Sequence, residues 1–181
     1  MSVTINRLNQ PKWKPQRLWQ RLGLTLPERN QLLETLSLTD KFKSQYADVQ
    51  VTVLAQGWDY PLNYERIQLN LPLGQKTWVR CVMLSSKEQP LLYARTIIPN
   101  LTRANPWFGL KKLGNQPLGE VLFSLKQIKR SSFSIQKSTN DWPHLYPLNK
   151  PRSLLARHST FLNQGSLLLL TEVFLAKIKP F

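Results

Sequence analysis

At 181 residues, 41% hydrophobic and 10% aromatic, the chain has the size and composition of one globular domain, which excludes a fibrous repeat or a disordered chain. Its one cysteine, Cys81, cannot close an internal disulfide, so nothing calls for an oxidising compartment. Twenty-five basic against ten acidic residues leave +15, which attracts nucleic acid, an acidic membrane surface or a small carboxylate, unless it is only a solvated basic face.

Residues 1–14 are polar and broken by proline, and read as a loosely held arm. Lys12, Lys14, Arg17 and Arg21 lead into no apolar run, so no secretory signal is read there. A short helix is expected over Gln16–Leu22, ended by Gly23. Thr25 with Glu28 three residues on has the spacing of a capping box and predicts a second helix through Leu36. Ser37 and Asp40 repeat that spacing and start a third, through Phe42 to Tyr46.

Val49, Val51 and Val53 alternate with Gln50, Thr52 and Leu54 and predict a strand with one apolar face. Thr77–Leu84 and Leu91–Ile98 are β-rich runs joined by a hairpin loop at 85–90. Asn105-Pro106 opens a short helix that Gly114 closes. Residues 119–125 read as helical, 131–136 as a strand, and 139–152 as a proline-broken loop. Leu167–Leu175 is expected as a strand buried on both faces; it is far short of the roughly 20 apolar residues that cross a bilayer. Helices first and hairpins after give an α+β fold, one domain over 1–181, with a largely antiparallel sheet of about six strands.

Two charges stand in apolar strands. Glu172 lies within Leu167–Leu175, where an unpaired buried carboxylate is costly. It either turns to solvent, bonds Thr171 or an arginine, or serves a site. Arg80 shares a face with Trp78, Val82 and Leu84, and either snorkels at an edge or lines an anion pocket. A hairpin folded symmetrically about Lys87-Glu88 sets Arg80 opposite Arg95, an unfavourable pair unless a dicarboxylate bridges them. A register slip of one residue separates the two onto opposite faces. Leu38, just after Ser37, and Leu118, between Pro117 and Gly119, either present backbone amides to an anion or are ordinary core. His144 and His158, the only histidines, form no metal-like cluster with Cys81, and neither a glycine-rich phosphate loop nor a nucleophile elbow is present.

Trp78-Val79-Arg80, Ala94-Arg95-Thr96-Ile97-Ile98-Pro99, Lys112-Leu113-Gly114-Asn115-Gln116-Pro117-Leu118-Gly119 and Leu168-Leu169-Leu170-Thr171-Glu172-Val173-Phe174-Leu175 resemble the chorismate pyruvate-lyases in order and spacing. So does Ser37-Leu38-Thr39-Asp40-Lys41-Phe42, and the similarity spans 27–175. The resemblance implies cleavage of chorismate, a dianion, to 4-hydroxybenzoate and pyruvate, the first step of bacterial ubiquinone synthesis, without metal or cofactor. It implies helices that lid an enclosed pocket on an antiparallel sheet. It also implies that Arg80 and the amides of Leu38 and Leu118 hold the ring carboxylate, that Glu172 meets the 4-hydroxyl, and that Arg95 meets the enolpyruvyl carboxylate.

Leu38 stands where a methionine is familiar in that family, and the stretch at 136–152 is longer than usual. The expected form is a cytoplasmic monomer with no nucleic-acid partner and no membrane insertion. Two rivals are a ligand sensor of the same fold and a basic nucleic-acid-binding domain. The sensors carry a DNA-binding helix-turn-helix ahead of the fold, for which residues 1–26 are too few. The nucleic-acid reading needs a basic face and salt-dependent binding.

Overall fold

A computed structural model describes residues 13–125, 127–138, 142–145 and 154–177. Among them, eight strands join one antiparallel sheet: β1 (Lys14–Pro15), β2 (Val49–Asp59), β3 (Thr77–Ser86), β4 (Gln89–Ile98), β5 (Lys129–Arg130), β6 (Ser134–Ser138), β7 (Leu154–Asn163) and β8 (Ser166–Phe174). Their order is β1-β6-β7-β8-β4-β3-β2, with β5 also paired to β7. The eight exceed the expected six or so: β1 and β5 have two residues each, and β7 falls on residues for which no strand is expected from the sequence.

Four α-helices, α1 (Leu26–Leu33), α2 (Leu38–Gln45), α3 (Asn63–Gln68) and α4 (Leu118–Ser124), pack with 3-10 turns at Gln16–Leu22 and Phe108–Lys112. The capping box forms as read: the Thr25 hydroxyl accepts from the Glu28 amide, and the Glu28 carboxylate accepts from the Thr25 amide at 2.8 Å. The helix stops at Leu33 rather than Leu36. Arg157 donates to the Leu32 and Glu34 carbonyls, and Glu34 leaves the helical conformation with ψ at 117°, so the chain breaks away to meet the sheet.

The expected arm is fixed at its end. Lys14 pairs with Ile135, and Trp13 packs against Tyr64, Trp142 and His158. Residues 1–12 lie outside the described residues, as does most of the 139–152 loop, of which Trp142 and Leu145 are buried.

Both faces of the sheet are covered. One carries Val82, Leu84, Leu92, Leu168, Leu170 and Phe174 beneath α2 and α4; the other carries Val79, Cys81, Tyr93, Ile97, Leu169 and Val173. β8 is therefore apolar on both sides, as its sequence requires. β2 changes phase at a bulge between Val53 and Ala55, which moves the inward positions from one face to the other and ends the valine alternation.

A second irregularity decides the register of the β3–β4 hairpin. Next to the turn, Ser86 pairs with Gln89 and Ser85 with Pro90, but Leu84 pairs with Leu92, leaving Leu91 extra. The Leu91 carbonyl accepts from the amides of Leu175 and Ala176, where the chain leaves β8. Beyond this bulge Arg80 pairs with Thr96, and Cys81 with Arg95. The expected Arg80–Arg95 pair does not form, and the two side chains leave opposite faces of the sheet.

On the face away from α2 and α4, His158 is 3% exposed and lies edge-on to Trp13, their ring centroids 4.4 Å apart. Burial pushes its pKa down to about 4, below the 6.5 of an unfolded chain. The unfolded state thus binds the extra proton first. The stability is whole above about pH 6.5 and lost as pH falls toward 4, by up to about 3 kcal/mol. Urea midpoints measured from pH 7 to about pH 4.5 should fall less steeply in His158→Phe than in the wild type; equal slopes would refute this assignment.

Candidate active site

Two helix starts and the sheet enclose a cleft of about 590 Å³, a figure that includes space open to solvent at its mouth. Ser37 caps α2 by accepting from the Asp40 amide at 3.3 Å, which places Leu38 first in the helix. Pro117, in extended conformation, places Leu118 first in α4. First-turn amides have no acceptor within their own helix and carry its partial positive charge. Ser37, Leu38, Thr39, Pro117, Leu118 and Gly119 all line the cleft. The two starts approach so closely that a Cβ on Gly119 would sit 3.3 Å from the Ser37 hydroxyl. Leu36 and Phe123, 65% and 50% exposed, form the rim, so the lid leaves a mouth.

Arg80 forms the floor at 3% exposure. Gly114, at a positive φ of 55°, turns the chain so that the carbonyls of Gly114 and Gln116 accept from Arg80 Nη2 at 2.8 and 3.0 Å. Among the described residues its Nε has no hydrogen-bond partner and no carboxylate pairs with it. Desolvation lowers its pKa from the ordinary arginine value. Burying a cation without a counter-charge costs several kcal/mol, which a bound anion would offset.

Glu172 lies across the cleft. It is 7% exposed and accepts from Arg157 Nε at 2.6 Å, so of the readings open in the sequence an arginine partner is the one that forms. Arg130 Nη2 stands 3.7 Å from the same carboxylate. Burial pushes the Arg130 guanidinium down to about 10, countered by Glu172 and reinforced by Arg157. Neither Arg130 nor Arg157 stood out as a site residue in the sequence. The signal available was the polar run Arg157-His158-Ser159 inside β7.

Arg80, Glu172, Leu38 and Leu118 therefore meet in one cleft, and Arg95 does not join them. Arg95 is 2% exposed on the other face and donates from Nε to Glu65 at 2.8 Å and from Nη2 at 3.3 Å. Arg80, Arg130 and Arg157 against Glu172 leave the cleft two positive charges in excess. Among the described residues, no group of three or more His, Cys, Asp or Glu could hold a metal ion, and no helix is long and apolar enough to cross a membrane.

A dipositive, largely apolar cleft suits a small aromatic or cyclic dianion, and comparison with known families agrees. The family model described as chorismate lyase matches residues 8–179. The chain belongs to the chorismate lyase family. It is 43% identical over 169 residues to a protein of Hydrogenovibrio crunogenus named "Probable chorismate pyruvate-lyase", covering 92% of this chain and 91% of that one. It is 36% identical to the chorismate pyruvate-lyase of Pectobacterium atrosepticum, covering 83% and 78%. Among solved structures, the PhnF C-terminal domain aligns with a TM-score of 0.58 at 14% identity, covering 81% of this chain and 92% of that one. The effector domain of PhnF from Mycobacterium smegmatis aligns at 0.55 and 13% identity, covering 80% and 91%. Those two share the fold with this member of the chorismate lyase family.

Proposed function

We propose that this chain cleaves chorismate to 4-hydroxybenzoate and pyruvate, the first step of ubiquinone synthesis, as a cytoplasmic monomer. The observation that carries the reading is Arg80, a buried guanidinium without a carboxylate partner among the described residues, in a cleft whose excess charge of two matches a dianion. In this reading Arg80 and the amides of Leu38 and Leu118 hold the ring carboxylate. β3 and β8 are separated by one strand, β4, so their backbones lie about 10 Å apart, and Glu172 reaches the C4 hydroxyl from the far side. Arg157, fixed on the Leu32 and Glu34 carbonyls, keeps that carboxylate in place.

The reaction breaks the C3–O bond, whose electron pair leaves with enolpyruvate. C4 gives up its hydrogen as a proton, the C–H pair becomes the new ring double bond, and the ring turns aromatic. Enolpyruvate takes a proton on its methylene carbon to become pyruvate, so atoms and charge balance. The step is downhill and needs orientation in a dry site more than covalent help, a contribution of up to roughly 7–11 kcal/mol in favourable cases.

Incubation with chorismate should release 4-hydroxybenzoate and pyruvate in equal amounts. Release no faster than spontaneous decay would overturn the reading.

A further inference from the structure

The two guanidinium groups that share Glu172 are not equivalent. Arg157 is 1% exposed and committed to the fold, with Nε on Glu172 and Nη1 on the carbonyls of Leu32 and Glu34. Arg130 is less engaged. Its Nε donates to the Ser159 hydroxyl at 2.9 Å and its Nη1 reaches the Thr35 carbonyl at 3.4 Å. Its Nη2, at 3.7 Å from Glu172, is beyond a hydrogen bond, and its side chain keeps 19% exposure where it lines the cleft. The group is nonetheless held, stacked over Phe133 at 4.3 Å and Phe161 at 4.9 Å. One carboxylate beside two guanidiniums leaves a full positive charge at this end, distinct from the charge of Arg80.

The topology fixes which end this is. Arg80 lies on β3, Glu172 on β8, and Arg130 on β5 beyond β7, in that order across the sheet. A ligand with its ring carboxylate on Arg80 and its C4 hydroxyl on Glu172 points its C3 substituent, next to C4, toward the Glu172 end. In chorismate that substituent is the enolpyruvyl ether, which carries the second carboxylate.

We propose that Arg130 binds the enolpyruvyl carboxylate, an assignment that rests on the reading of the site given above. It replaces Arg95, which the register removes from the cleft. Arg130 is then the residue that tells substrate from product, because 4-hydroxybenzoate keeps the ring carboxylate and the hydroxyl but has lost the group Arg130 holds.

The test compares KM for chorismate with the inhibition constant of 4-hydroxybenzoate in wild type, Arg130→Gln and Arg130→Lys, with thermal melts as the control for folding. Loss of a charge-assisted contact should raise KM about 10- to 100-fold in Arg130→Gln while the inhibition constant changes less than about 3-fold. Arg130→Lys, which keeps the charge but not the fork, should fall between and serves if the glutamine variant does not fold. A purely structural Arg130 would weaken both ligands by the same factor, and that result, or no change in either, overturns the proposal while wild-type turnover upholds the lyase reading. Absence of wild-type turnover overturns both.

Discussion

Replacing Arg80 with methionine should lower kcat/KM for chorismate by at least about 100-fold while changing folding stability by no more than about 2 kcal/mol. The first part follows from what the guanidinium is asked to hold. A charge-assisted hydrogen bond to a carboxylate contributes about 1.5–3 kcal/mol, and two parallel ones add geometry as well as energy. The second part follows from what it lacks in the free protein. Two backbone carbonyls accept from it, but no carboxylate among the described residues neutralises it, so the folded chain bears its desolvation alone. Methionine fills the volume of the stem and removes the buried charge, which offsets the loss of the contacts to Gly114 and Gln116. Steady-state kinetics with denaturant midpoints on the same preparation separates the two quantities. A destabilisation beyond about 3 kcal/mol, or retained turnover, would show that Arg80 is structural.

That Arg80 could be singled out from sequence, and Arg95 could not be placed, has one physical origin. A charge in a run of apolar residues is conspicuous whichever way it points. Which way it points depends on register, and in a sheet covered on both faces the alternation that encodes register is gone. Leu91, Leu92 and Tyr93 are all apolar and all buried, so either phase satisfies them. The extra residue at Leu91 is set by bonds to Leu175 and Ala176, more than 80 positions away, which no local pattern records. Helix starts behave oppositely. Ser37 and the Thr25–Glu28 box are complete within four residues, and both formed where their spacing placed them. β7 was concealed for the same reason as the hairpin register. Arg157, His158 and Ser159 interrupt the apolar pattern of a strand, and they are buried by partners of Arg157 and Ser159 brought from α1, β5 and β8.

The same register gives the opposite expectation for Arg95. Arg95→Met should destabilise the fold by about 3–5 kcal/mol, because it leaves the Glu65 carboxylate buried without a counter-charge. Glu65 is fully buried, and besides Arg95 it accepts from the Leu62 amide at 2.7 Å and from the Tyr64 hydroxyl at 3.2 Å, so it cannot swing out to water. Adding Glu65→Gln should recover a large part of the loss: the amide oxygen can still accept from Leu62, and the uncompensated charge is gone. Removing one partner of such a pair is far more damaging than removing the charge from both. Denaturant midpoints of the single and double variants measure this directly. The kinetics of the double variant supply the contrast with Arg80, since an arginine on the far side of the sheet should leave KM for chorismate within a few-fold of wild type. If Arg95→Met instead kept its stability and lost its affinity for chorismate, the guanidinium would belong to the site after all, and the register that turns it toward Glu65 would be wrong.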